Sequence, residues 1–229
     1  MSGSPRVSTR PRWSQLRSQG NTCTRPEESL YRGHCVVSEW LPTRVEDDIK
    51  EILLTAEQIE SKVAQMGAAI SRDYQGKDVL LVCILKGAMV FMADLMRHIS
   101  IPVCIDTMAV TSYGASTVSS GVVRVVKDLD VPAEGKHVLI VEDIVDSGLT
   151  LNYLASNLRN RKPASVKICT LLDKPDRRQA PVVPDYNGFV IPDKFVVGYG
   201  LDYRERYRNL PFVGVPKDRV WNRDGEELA

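Results

Sequence analysis

One run of residues, Val138-Leu139-Ile140-Val141-Glu142-Asp143-Ile144-Val145-Asp146-Ser147-Gly148-Leu149-Thr150, constrains the fold of this chain more than any other. It opens with four apolar residues that do not alternate with polar ones, the pattern of a strand covered on both faces. Two adjacent carboxylates follow, then a third, then a Ser-Gly turn that leads into a helical pattern at 149–158. In open parallel sheets, ligands sit at this edge of the strands. Gly148 permits positive φ and close backbone approach, so the N–H groups of residues 146–150 can converge on a phosphate at the helix N-terminus. Ser147 and Thr150 add hydroxyl donors. Carboxylates beside a phosphate cradle need another object, and sugar hydroxyls or Mg²⁺, a cation that prefers oxygen ligands, supply one. The run therefore predicts a site for a phosphorylated sugar.

The surrounding sequence supplies a matching scaffold. Thr55 can cap a helix of about 16 residues that carries Ile59, Val63, Met66 and Ile70 at helical spacing. Val79-Leu80-Leu81-Val82-Cys83-Ile84-Leu85 is a second fully covered strand, ended by Lys86-Gly87 and followed by a helix over 88–98. Further strands are predicted at 103–112, 122–127, 166–172 and, briefly, 195–197. Between the first two of these, residues 113–121 carry small polar residues and two glycines and read as a mobile loop. Strands alternating with helices imply a mainly parallel sheet with right-handed crossovers. Residues 1–45 are rich in Ser, Arg, Pro and Thr without periodicity and are expected to be a disordered extension, with residues 46–229 forming the domain. That extension faintly resembles an organellar transit peptide but forms no clear amphipathic helix.

Composition narrows the partners. Lys and Arg number 30 against 29 Asp and Glu, a net charge of +1, so no global field recruits nucleic acid or an anionic membrane. No apolar stretch reaches the roughly 18 residues of a membrane span, and the start lacks the apolar run of a secretory signal. The 5 cysteines form no CxxC pair, and Cys83, Cys104 and Cys169 lie in apolar runs, as buried free thiols would. A cytoplasmic protein is expected. His34, His98 and His137 are scattered without ligand spacing, which disfavours a metallohydrolase or a Ser-His-Asp enzyme.

The acidic strand end with its Ser-Gly turn resembles the signature of type I phosphoribosyltransferases that binds phosphoribosyl pyrophosphate (PRPP). Residues 50–215 resemble more particularly the bacterial hypoxanthine-guanine phosphoribosyltransferases. The resemblance is carried by that signature and by Leu85-Lys86-Gly87, Ser112-Tyr113-Gly114, Leu172-Asp173-Lys174-Pro175 and the segment from Ile191-Pro192-Asp193 to Leu201-Asp202-Tyr203. It implies a type I phosphoribosyltransferase fold, α/β, with a mainly parallel twisted sheet flanked by helices. A small hood subdomain would be built largely from the chain after about residue 175.

The resemblance also implies roles. Glu142 and Asp143 would hold the ribose hydroxyls and Mg²⁺, Asp146 to Thr150 (including Ser147, Gly148 and Leu149) the 5′-phosphate, and Asp146 would also act as general base at N7 of the purine. Lys86 and Gly87, commonly reached through a non-proline cis peptide, and Arg208 would contact pyrophosphate. Ser112 and Tyr113 would open the loop over the reacting centre. Lys174 would donate to O6 of a 6-oxopurine base, Phe195 would stack on it, Val196 and Asp202 would meet its other edge, and Asp202 would bind a second Mg²⁺. Arg208 sits in a charged run, for which an ordinary solvated helix face is the competing reading. Relatives are usually homodimers or homotetramers. The competing readings are a PRPP-binding regulator of RNA and, within the enzymes, a xanthine-preferring transferase.

Overall fold

The computed structural model describes residues 44–112 and 123–220. A six-stranded sheet is its backbone: β2 (Val79–Leu85), β3 (Cys104–Ser112), β4 (Val123–Lys127), β5 (His137–Val145), β6 (Ser165–Asp173) and β7 (Tyr186–Val190), in the spatial order β4-β3-β2-β5-β6-β7. All neighbours are parallel except β3 and β4. The strand order reverses around β2 and β5, where crossovers leave in opposite directions and a crevice opens at the carboxyl ends.

Three helices cover the sheet: α1 (Ala56–Asp73), α2 (Met89–Arg97) and α3 (Leu149–Arg159). Thr55 starts α1 through a capping box, its hydroxyl accepting from the Gln58 N–H at 3.3 Å while the Gln58 side chain accepts from the Thr55 N–H at 2.8 Å. Ile59, Val63, Met66 and Ile70 then face the sheet, where they pack with Leu81, Leu139, Val141, Phe91 and Leu95. The opposite face packs Leu80, Val82, Val138 and Ile140 against Leu151, Leu154 and Leu158 of α3. Both faces of β2 and β5 are thus covered, which is why their sequences do not alternate. Among the described residues no helix is long and apolar enough to cross a membrane.

A second, two-stranded antiparallel sheet pairs β1 (Ile49–Leu54) with β8 (Val213–Pro216). Val197 joins it through an isolated bridge to Gly214. Residues 195–197 are therefore not the strand that their composition suggests: after Val197 the backbone turns sharply at Gly198 (φ +100°) and Gly200 (φ +101°), which ends any ladder. Cys104 also departs from expectation, because it is exposed while Cys83 and Cys169 are buried. β4 pairs with Ala109 to Ser112, and beyond it the chain stays beside the first half of β3, where the Asp130 and Val131 N–H groups donate to the Asp106 carboxylate.

Candidate active site

β5 runs two residues beyond the carboxylates, pairing Glu142 with Thr170, Ile144 with Leu172 and Val145 with Asp173. The faces change over across the acidic pair: Ile144 packs with the cluster of Leu139 and Val141, whereas Val145 joins that of Val138 and Ile140. Asp143 is 9% exposed and accepts from the Ile144 N–H at 2.8 Å. Burial is the main cause that raises its pKa to about 6, with Asp202 pushing the same way and Arg208 opposing. Burial first, and the Asp143 charge second, also hold Glu142 well above the usual carboxylate range. Glu142 Oε2 is buried without a hydrogen-bond partner among the described residues. Two desolvated carboxylates with an unsatisfied oxygen suit a divalent cation that keeps its water and takes only one or two protein ligands. These two residues fit Mg²⁺.

At the turn, Gly148 takes φ +77° and caps α3, so the backbone reverses into the helix with its first N–H groups unpaired by helix carbonyls. Asp146 is partly exposed, its Oδ1 3.1 Å from Arg177 Nε. Arg177 also reaches Asp193 at 3.3 Å, and Asp193 lies 3.6 Å from the ammonium of Lys174. Lys174, 5% exposed, is tied by its backbone N–H to the Val145 carbonyl at 2.9 Å. The proposed base and the proposed reader of the purine therefore end neighbouring strands and share a chain of alternating charges. Phe195 lies edge-on to Tyr203, with centroids 5.9 Å apart, beside the small cluster of Val197, Tyr207 and Leu210. Val196 is buried in the main core.

On the other side, the Leu85–Lys86 peptide bond is cis, as the resemblance implied. A Cβ on Gly87 would overlap Asp143 Oδ2, and a Cβ on Gly200 would overlap the Gly87 carbonyl oxygen. Three segments therefore meet where no side chain fits. Arg208 is not on a helix face: Arg204, Glu205 and Tyr207 all take positive φ, and its guanidinium folds inward to the Gly200 carbonyl at 2.7 Å and to Asp202 Oδ1 at 2.7 Å. Its Nε–H is buried without a hydrogen-bond partner among the described residues, a donor suited to an anion. Lys86 Nζ reaches Glu205 at 2.9 Å. Asp202 is held by Arg208 and by the Glu205 N–H at 2.8 Å, so it is less free to take a metal than Glu142 or Asp143.

Ser112 ends β3 opposite Val123, and Tyr113 lies outside the described residues. The sequence reading missed Arg177, Arg178 and Asp193. The two arginines follow Lys174 by three and four residues, and Asp193 stands in a segment that carried the resemblance without a role of its own.

The mainly parallel sheet, with an acidic strand end that runs through a glycine turn into a helix N-terminus, forms a phosphate-sugar site, and the phosphoribosyl transferase domain family matches residues 50–204, which makes the chain a phosphoribosyltransferase. A hypoxanthine-guanine phosphoribosyltransferase of Bacillus subtilis (strain 168) is 54% identical over 174 residues, covering 76% of this chain and 97% of the relative. The chain belongs to the hypoxanthine-guanine phosphoribosyltransferase family. The corresponding enzyme of Mycobacterium tuberculosis (strain ATCC 25618 / H37Rv) is 54% identical over 180 residues, covering 76% of this chain and 89% of the relative. A crystal structure of a hypoxanthine phosphoribosyltransferase from Staphylococcus aureus superposes with a TM-score of 0.75 at 49% identity, covering 77% of this chain and 96% of that one.

Proposed function

We propose that this chain transfers the 5-phosphoribosyl group of PRPP to N9 of hypoxanthine or guanine, giving IMP or GMP and pyrophosphate, as part of purine salvage. The observation that carries the proposal is the meeting of Asp146 and Lys174 at adjacent strand ends, the Lys174 N–H bonded to the Val145 carbonyl at 2.9 Å. A binding module for PRPP alone has no need of a base-facing carboxylate and a buried ammonium together.

In this mechanism residues 146–150 hold the 5′-phosphate through backbone N–H groups and the hydroxyls of Ser147 and Thr150. Glu142 and Asp143 orient the ribose through its 2′- and 3′-hydroxyls. Lys174 donates to O6, a contact that the 6-amino group of adenine cannot accept. Phe195 stacks on the ring, and the backbone at Val196 and Asp202 meets its far edge, against the 2-oxo group of xanthine. As N9 bonds to the anomeric carbon and the bond to pyrophosphate breaks, Asp146 takes the proton from N7. Lys86, Gly87 and Arg208 receive the departing anion, with Glu205 displaced from Lys86. Glu142 and Asp143 would hold Mg²⁺, with Asp202 as the site of a second ion, and the metal would offset negative charge on the pyrophosphate. Ser112 and Tyr113 belong to the loop assigned to shielding the reaction.

The free thiols Cys83, Cys104 and Cys169 support a reducing, cytoplasmic location. The family resemblance supports a homodimer or homotetramer, which light scattering on the purified chain measures directly. The activity test is incubation with PRPP, Mg²⁺ and, separately, hypoxanthine, guanine, xanthine and adenine. IMP and GMP should form, XMP weakly, and AMP barely; absence of both IMP and GMP above background overturns the assignment.

A further inference from the structure

A phosphate-binding turn needs its N–H groups on one side and its carbonyls on the other. How the carbonyls are disposed of is visible here. The Val145 carbonyl accepts from the Lys174 N–H at 2.9 Å, and the Ser147 carbonyl accepts from the N–H groups of Gln179 at 2.9 Å and Ala180 at 3.1 Å. The Asp146 carbonyl accepts from Arg178 Nε at 3.2 Å. The Gly148 carbonyl accepts from Asn152 within α3 at 2.9 Å. Four successive carbonyls are thus engaged.

Arg178 is the centre of this arrangement. Its Nη2 donates to the Asp173 carboxylate and lies 3.5 Å from the Val145 carbonyl, and its Nη1 donates to the Val182 carbonyl. Asp173 is fixed in turn by the Asn187 side chain at 3.0 Å. The Arg178 and Asp173 side chains are only 15% and 11% exposed. The Arg178 Cδ would lie 3.0 Å from a Cβ at Gly148, so the side chain passes directly behind the glycine. A fork of five donors with fixed directions serves two strand-end carbonyls, a third from the following loop and a carboxylate at once, which a lysine ammonium cannot do.

We propose that Arg178 is a positioning residue for the reaction: it gathers the carbonyls of the turn onto the face away from substrate and so presents the N–H groups of residues 146–150 to the 5′-phosphate. The inference rests on the proposed role of that turn. Lys174 lies on the same short segment but reaches the turn through its own backbone N–H, bonded to the Val145 carbonyl at 2.9 Å, so the purine subsite does not depend on the guanidinium. Asp146 has its side chain in one subsite and its carbonyl under Arg178.

The test compares the full-length chain with Arg178→Lys and Arg178→Gln, reading PRPP binding by calorimetry together with KM for each substrate. Wild type must first bind PRPP; if it does not, the proposed function fails and not the clamp alone. Given that binding, the clamp predicts that both folded variants lose PRPP affinity by about tenfold or more, whereas hypoxanthine KM moves by about twofold or less. Added ethylguanidinium should restore part of the loss in Arg178→Gln but not in Arg178→Lys, where the ammonium fills the gap. PRPP affinity within about twofold of wild type in either folded variant, or parallel losses for both substrates, overturns the proposal. Amide exchange in wild type needs no variant: the Gln179 and Ala180 N–H groups should be further protected when PRPP binds, and unchanged protection counts against the clamp even if both variants fail to fold.

Discussion

Asp143→Asn should yield a protein that is more stable and nearly inactive. The native carboxyl titrates near pH 6, against 3.8 for the free group. The native state therefore binds this proton more tightly than the unfolded chain, so the contribution of Asp143 to stability is fully present below about pH 4 and is lost as pH rises through about 6. A displacement of about two pH units corresponds to about 3 kcal/mol at pH 7, an upper figure because a buried site relaxes. Asparagine occupies nearly the same volume and retains an oxygen for the Ile144 N–H, bonded at 2.8 Å in wild type. Removing the charge also relieves Glu142, whose proton affinity Asp143 increases.

The assay is urea unfolding of both proteins in EDTA, at pH 4 and pH 7.5. The variant should gain about 2–3 kcal/mol at the higher pH, equivalent to a melting shift of roughly 4–12 °C in a domain of this size, with most of the gain vanishing at the lower pH. Mg²⁺ should narrow the gap by stabilising wild type preferentially. Turnover should fall on the order of 10²-fold with the loss of ribose and metal contacts. A variant no more stable than wild type at pH 7.5, or equally stabilised at both pH values, would refute the argument that burial of this charge opposes folding.

Gly87→Ala should cost several kcal/mol or abolish turnover, because the methyl group would overlap Asp143 Oδ2; thermal melting and steady-state kinetics read this, and normal values in both would contradict the packing. Asp146→Asn should lower kcat by about 10²- to 10⁴-fold while PRPP binding by calorimetry stays near wild type; near-normal kcat rejects it as the base. Lys174→Ala should weaken discrimination between hypoxanthine and adenine, measured as the ratio of kcat/KM, by about 10²-fold, and an unchanged ratio points to another reader of O6.

Much of the large sheet could be read from residues alone. β2 and β5 announce themselves as apolar runs too short for helices, and Thr55 marks the start of α1. The phosphate turn was legible because its requirements are local: one glycine, two hydroxyls and three acids in a fixed order. β1 and β8 were not, since they are short, do not alternate and meet only after the whole domain has intervened. β7, with Asn187 and Gly188 inside it, has a composition that favours turns. The charge chain from Lys174 through Asp193 and Arg177 to Asp146 depends on tertiary distances that no spacing encodes. Arg208 could be flagged as important only by resemblance, for it is the left-handed backbone before it that aims it inward.

The contact of Gly200 with the Gly87 carbonyl joins the β2–α2 turn to the segment between Val197 and β8, backbone against backbone. Such a seam contains no rotamer that could yield. Sliding one segment past the other would drive main chain into main chain, so a side chain at either glycine would have to force the seam apart.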